Sequence, residues 1–196
     1  MRLAPALIAS IYPTHNEDRV LLRRQQLPPL LVKGLLAVED RSFYQHLGVD
    51  PKAILRAAFE NLMAGRTVQG ASTLTQQLVK NLFLTPERTI TRKLAEAILS
   101  LRVEQRYDKN RILEMYLNQV YFGNQAYGIE KAARRYFKKP ASALTISESA
   151  LLAGLLKAPE GLSPYYYPKA AEARRQTVLA AMRHHGYISQ AQYQQA

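Results

Sequence analysis

Apolar residues recur every three to four positions along most of this chain, the spacing that lines one face of a helix. The first such run lies at 30–38, and Pro28 and Pro29 supply the prolines expected in a first helical turn. It delivers two acids, Glu39 and Asp40, at the helix's C-terminal end, where the backbone carbonyls make a poor setting for negative charge. Asp50-Pro51, an N-cap followed by a proline, opens a second helix to about Ala64, stopped by Gly65. Its apolar positions Ile54, Leu55, Phe59, Leu62 and Met63 read as a stripe facing the core. Ser72 and Thr73 cap a third helix with Leu74, Leu78 and Leu82 on its apolar face. Thr85-Pro86-Glu87 starts a long helix to about Tyr107, and Asp108 caps the next, with Arg111, Glu114 and Asn118 along one side. Gly123 and Gly128 mark a turn, and helices follow at about 129–137, 147–157 and 168–185, with a short one after Ser189. The segment 159–168 is a loop rich in Pro and Tyr. The run RVLLR at 19–23 reads as a short strand, but other strand signals are few and no βαβ alternation or repeat is present. The expected class is mainly α.

A length of 196 residues suffices for one domain with its own core. Residues 1–29 read as a lead-in segment and 30–196 as the domain. The formal charge of +12 changes the picture more than the length does. It favours an anionic partner: nucleic acid, a phosphorylated substrate or an acidic membrane surface. The sequence contains no cysteine, which removes disulfides, thiolate catalysis and cysteine-based metal sites. The apolar run at 30–38 is interrupted by Lys33 and too short to span a bilayer, and the first residues lack a signal-peptide cleavage pattern.

The densest chemistry lies at 70–96, where hydroxyls and amides surround Lys80, Arg88, Arg92 and Lys93, with Glu87 and Glu96 among them. Lys80 and Arg88 fall on adjacent helices joined by a short turn, which can aim both cations and a helix N-terminus at one anion. A diphosphate fits, and so does a nucleic-acid phosphate. Arg92 and Lys93 share a helix face with Glu96, an arrangement that is also an ordinary surface ion pair. Glu39 and Glu96, distant in sequence, suit the flanks of a glycosidic centre, one as general acid or base. His46 is a candidate base or metal ligand, with a hydrogen-bonded structural ring as the simpler reading. No HExxH pair, His/Asp cluster or Walker-type glycine loop occurs.

Several ordered runs carry a resemblance. EDRSFYQHLG at 39–48 resembles the E-D-x-x-F-x-x-H-x-G motif of the family-51 glycosyltransferases, and GASTLTQQ at 70–77 resembles G-x-S-T-x-T-Q-Q. RKLAE at 92–96 is similar to R-K-x-x-E, and RILEMYLN at 111–118 to R-I-L-E-x-Y-L-N. Residues 121–137 and 150–159 are similar to later segments of the same family, so the likeness covers about 30–181. A series of motifs in order is far more specific than any one of them. These are the peptidoglycan glycosyltransferases, found alone or as the N-terminal domain of bifunctional penicillin-binding proteins.

The resemblance implies a lysozyme-like, two-lobed helical domain that polymerises lipid II into glycan strands for the cell wall. The growing strand is the donor, undecaprenyl diphosphate leaves, and the acceptor's 4-hydroxyl attacks with inversion. It implies Glu39 as the general base and Glu96 as a second functional carboxylate near the diphosphate. Lys80, Arg88 and Lys93 match the cations that neutralise phosphate, Ser72, Gln76, Gln77 and Asn81 match polar substrate contacts, and Asp40 and Phe43 shape the site around Glu39. Arg111, Glu114 and Asn118 read as scaffold. No tightly bound cofactor is expected; a divalent cation, Mg or Mn, has a place at the diphosphate, reached indirectly through Glu96. The implied partners are lipid II, the growing lipid-linked strand, the membrane surface and moenomycin-type inhibitors, with no nucleic acid. Part of the stripe from Ile54 to Met63 gains a second meaning as a lipid-facing surface, and the basic charge suits an anionic bilayer. The expected location is the outer face of the bacterial cell membrane. With no membrane helix ahead of it and no transpeptidase domain after it, the chain is expected to be an excised catalytic domain. The sequence contains no Ser-x-x-Lys, the signature of a penicillin-type acyl-transfer site.

Two other classes compete. A lysozyme-like hydrolase would use the same carboxylates but has no use for a cradle of cations. A basic helical nucleic-acid-binding module would spread its cations along a surface, away from acids.

Overall fold

In the computed structural model, which describes residues 20–65, 70–84 and 89–196, the chain is a succession of helices. They are α1 (Pro29–Glu39), α2 (Pro51–Ala64), α3 (Leu74–Phe83), α4 (Ile90–Arg106), α5 (Lys109–Gln119), α6 (Ile129–Phe137), α7 (Ile146–Leu155), α8 (Pro168–His184) and α9 (Gln190–Gln195). Among the described residues the only β-type pairing is an isolated bridge between Tyr121 and Tyr127, in the turn that Gly123 and Gly128 bound. The mainly α expectation holds.

The core forms where α1, α7 and α8 pack together. Leu31 and Leu35 of α1, Leu152 of α7, and Val178 and Met182 of α8 expose no surface. A helix this apolar on several sides must be enclosed by others. Small residues set how closely the helices approach. A Cβ on Gly34 would stand 3.1 Å from the sulfur of Met182, and one on Gly154 would stand 3.0 Å from Cγ of Arg174. α3 and α5 continue the core through Leu74, Leu78, Ile112, Leu113 and Leu117, and α6 closes it with Ile129 and Ala133.

The caps read from the sequence hold at Asp50, Thr73 and Asp108, each of which accepts a hydrogen bond from the third residue of its helix, and Ser189 caps α9 in the same way. α4 differs. It begins at Ile90 with Thr89 as its cap, and Thr85-Pro86-Glu87 lies outside the described residues. The strand expected at 19–23 is not present over 20–23. That backbone pairs with a side chain instead of a neighbouring strand: the Leu22 N–H donates to Asn118 Oδ1 at 2.9 Å, and Asn118 Nδ2 donates to the Leu22 carbonyl at 2.8 Å. Glu114 accepts from the Arg24 N–H at 3.0 Å and also pairs with Arg111, so the three scaffold residues of α5 anchor the lead-in segment. Leu22 and Leu27 of that segment are buried in the core.

The core reading of α2 does not hold. Only Ala57 of that helix is buried, while Leu55, Phe59, Leu62 and Met63 are each at least 64% exposed. α4 shows the same pattern: it buries only Glu96 and Ser100 and exposes Ile90, Leu94, Ile98 and Leu101. Their period is helical, but the face it marks points outward.

Candidate active site

Glu39 is the last residue of α1, and its carboxylate lines a cleft of about 660 Å³. The cleft lies between the end of α1, the start of α2, the segment at 70–73, α3 and α8. The Glu39 side chain is 15% exposed, enclosed yet reachable. Arg174 Nη2 of α8 donates to Oε1 at 3.2 Å, and Gln77 Nε2 of α3 donates to Oε2 at 3.3 Å. Tyr116 of α5 in turn donates its hydroxyl to Gln77 Oε1 at 2.9 Å. Burial pushes the Glu39 pKa upward, Arg174, Gln77 and Lys157 pull it down, the neighbouring Asp40 charge pushes it up, and the balance is a raised value. The carbonyls at the end of α1 act in the same direction. A carboxylate poised in this way can accept a proton from a hydroxyl group.

Asp40 keeps Glu39 in register with α3. Its carboxylate lies 3.0 and 3.1 Å from His46 Nε2 and accepts the Leu74 N–H at 2.9 Å. The Gly48 N–H donates to His46 Nδ1 at 3.0 Å, so the ring proton sits on Nε2, aimed at Asp40. Thr73 adds a bond from its hydroxyl to the Gly48 carbonyl at 2.6 Å. Both ring nitrogens of His46 are thus engaged within the turn, and the structural reading of this residue holds. Phe43 is fully buried beneath the turn, in edge contact with the His46 ring and with Lys109 Nζ 4.5 Å from its ring centroid.

Of the residues singled out in the sequence, Glu39, Asp40, Ser72, Gln77 and Lys80 line one cleft. Lys93 reaches its edge, with Nζ 2.8 Å from Ser72 Oγ. Glu96 does not line the cleft. It is 2% exposed, and its two oxygens are taken by Arg92 Nη1 at 3.1 Å and by Lys93. Gln76 is buried and occupied elsewhere: its amide oxygen accepts the Thr73 N–H at 3.0 Å while its own N–H donates to the Thr73 hydroxyl. The capping box uses the side chain that the motif reading assigned to substrate. Asn81 is exposed on α3 and does not line the cleft. Arg88 lies outside the described residues.

The donor set does not suit a divalent ion held by the protein through Glu96, because both carboxylate oxygens already accept from cations. Among the described residues no group of three His, Asp or Glu side chains converges.

Sequence reasoning missed Arg174 and Lys157, both of which line the cleft, and Tyr116 behind it. Arg174 and Glu39 are 135 positions apart, a distance no periodicity bridges. The available signal was the pair Arg174-Arg175 beside a single acid. Glu172 takes Arg175 at 2.5 Å, which leaves Arg174 for another partner.

The family described as Transglycosylase matches residues 5–183. The chain is 49% identical over 180 residues to penicillin-binding protein 1A of Aquifex aeolicus, covering 92% of this chain and 25% of that protein. It is 48% identical over 200 residues to penicillin-binding protein 1B of Vibrio cholerae, covering 100% of this chain and 26% of that one. The crystal structure of penicillin-binding protein 1A from Haemophilus influenzae superposes with a TM-score of 0.54 at 27% identity, over 90% of this chain and 17% of that chain. The chain therefore spans about a quarter of the length of the curated relatives it matches. The fold is the lysozyme-like helical one expected from the motifs. On the match over nearly its whole length, the chain belongs to the transglycosylase family.

Proposed function

We propose that the chain polymerises lipid II, transferring the growing lipid-linked glycan to the next disaccharide. Glu39 takes the proton from the acceptor's 4-hydroxyl as that oxygen bonds to the donor's anomeric carbon. The bond from that carbon to the diphosphate oxygen breaks, its electron pair leaves with undecaprenyl diphosphate, and the anomeric configuration inverts. Two demands follow: a base that can hold a proton, and fixed positive charge where negative charge grows.

The observation that carries this reading is the company Glu39 keeps. An enclosed carboxylate with a raised pKa shares one cleft with Lys80, Lys157 and Arg174, and Lys93 stands beside Ser72 at the rim. Lys80, Lys93 and Arg88 take the diphosphate in this scheme. Glu96 acts through Lys93, whose ammonium it orients toward Ser72. Ser72 and Gln77 supply the polar contacts that reach the cleft. A hydrolase working with a neutral leaving sugar gains nothing from these cations.

A lipid-linked substrate places the reaction at the outer face of the cell membrane. Among the described residues no helix is long and apolar enough to cross a bilayer. The exposed stripe of α2, on the helix whose first turns border the cleft, is the surface offered to lipid. A moenomycin-type phosphoglycolipid, with lipid and phosphate in one molecule, would compete for the same cleft.

The test is polymerisation of labelled lipid II in detergent. Wild type yields glycan polymer, and Glu39→Gln loses at least about 100-fold of the rate, within the usual range for a positioned general base. Polymer formation by Glu39→Gln at the wild-type rate would refute the assignment.

A further inference from the structure

We propose that Tyr116 is a positioning residue for this reaction: acting through Gln77, it fixes the plane of the Glu39 carboxylate from which the acceptor's proton is taken. The inference rests on the reading of Glu39 as the base.

Three helices contribute one side chain each to a single line. Tyr116 Oη lies 2.9 Å from Gln77 Oε1, and Gln77 Nε2 lies 3.3 Å from Glu39 Oε2. The direction of the bonds is set by chemistry. An ionised carboxylate only accepts, so Gln77 must present its NH2 group to Glu39. That leaves the amide oxygen toward Tyr116, whose hydroxyl must donate. Burial first, and then the Glu39 charge, push the Tyr116 pKa well above its ordinary value, so the phenol stays protonated across the working range. Tyr116 therefore acts as a permanent donor that selects one of the two amide orientations of Gln77. In the other orientation, carbonyl would face carboxylate.

The remaining groups around Glu39 do a different job. Arg174 of α8 bonds Oε1, Lys157 beyond α7 acts through its charge, and Asp40 is the adjacent residue in the chain. Arg174 holds one oxygen by a hydrogen bond of 3.2 Å. The bond from Gln77 holds the other at 3.3 Å, and two held oxygens define the carboxylate plane where one does not. Tyr116 is 1% exposed and does not line the cleft, so its effect on the reaction passes through Gln77 and not through substrate.

The experiment measures the pH profile of kcat/KM for lipid II polymerisation by the 196-residue chain. The variants are Tyr116→Phe, Gln77→Met, the double variant, Leu117→Val as a buried control on α5, and Glu39→Gln. The Gln77 bond favours ionised Glu39, so losing it raises the pKa and moves the acidic limb to higher pH. Tyr116→Phe should move that limb up by about half to one pH unit and lower kcat about tenfold, with KM little changed. Gln77→Met should move it equally, and the double variant no further, since both remove one interaction. Leu117→Val should lower the melting temperature and leave the limb in place. A Tyr116→Phe limb at the wild-type position overturns the inference, as does an additive shift in the double variant. Wild-type polymerisation by Glu39→Gln overturns the base assignment and this inference together, whereas an inactive Glu39→Gln beside an unmoved Tyr116→Phe limb overturns this inference alone.

Discussion

Glu39 sits among groups that pull its charge in opposite directions. Burial raises its pKa, and Arg174, Gln77 and Lys157 restrain the rise without cancelling it. The native state therefore binds the Glu39 proton more tightly than the unfolded chain does. The stability this contributes is fully present below the unfolded glutamate pKa and is lost as pH rises through the higher folded value. Glu39→Gln cannot titrate. The melting temperature of wild type should thus fall relative to Glu39→Gln as pH rises above the ordinary glutamate range, a trend visible in paired thermal melts. A constant difference over that rise would mean that burial does not perturb Glu39. The place of this acid at the end of an apolar helix was legible in the sequence, whereas its reading as a base came from the motif resemblance. Its partners were not legible. Gln77 appeared in a motif without its direction, and Arg174 and Tyr116 reach Glu39 only through packing of α8 and α5 against the rest, which local patterns do not encode.

At the scale of elements, the turn after α1 decides how Glu39 meets α3. Asp40, His46 and Gly48 bond to one another and to the start of α3, so the turn and the helix move as one unit. Gly48 has φ of +96°, and a Cβ there would lie 2.7 Å from the Ser100 carbonyl oxygen of α4. Gly48→Ala should therefore cost about 1–3 kcal/mol in chemical denaturation, from backbone strain and the clash together. It should also lower polymerisation activity, because the Leu74 and Gly48 contacts that align Gln77 with Glu39 shift with the turn. The helix starts at Asp50, Thr73 and Asp108 were readable because cap chemistry is local. Gln76 shows the limit of such reading. Its place three residues after Thr73 made it a capping-box residue, but its place in a motif made it look like a substrate contact. The strand expected near residue 20 failed for a related reason: the Asn118 side chain supplies the pairing that a neighbouring strand would have given.

The whole molecule joins a buried helical core to two helices whose apolar stripes face outward. α2 presents Leu55, Phe59, Leu62 and Met63, and α4 presents Ile90, Leu94, Ile98 and Leu101. Periodicity located the stripe on α2 but could not say whether protein or lipid covers it, because both select the same side chains. The net charge of +12 adds an attraction to anionic headgroups. If α2 is the lipid contact, replacing Leu55, Phe59, Leu62 and Met63 together by Ser should weaken binding to vesicles containing anionic lipid by at least about tenfold. Exposed positions change fold stability little, typically within about 0.5 kcal/mol each, so the melting temperature should move far less than it would for a core residue. Raising salt separates the two contributions. Wild type should lose its electrostatic share of vesicle binding and keep an apolar remainder, while the α2 variant, left with charge alone, should release almost completely. Equal vesicle binding by the two proteins in high salt would exclude α2 as the lipid contact and leave the stripe on α4 as the surface to substitute next.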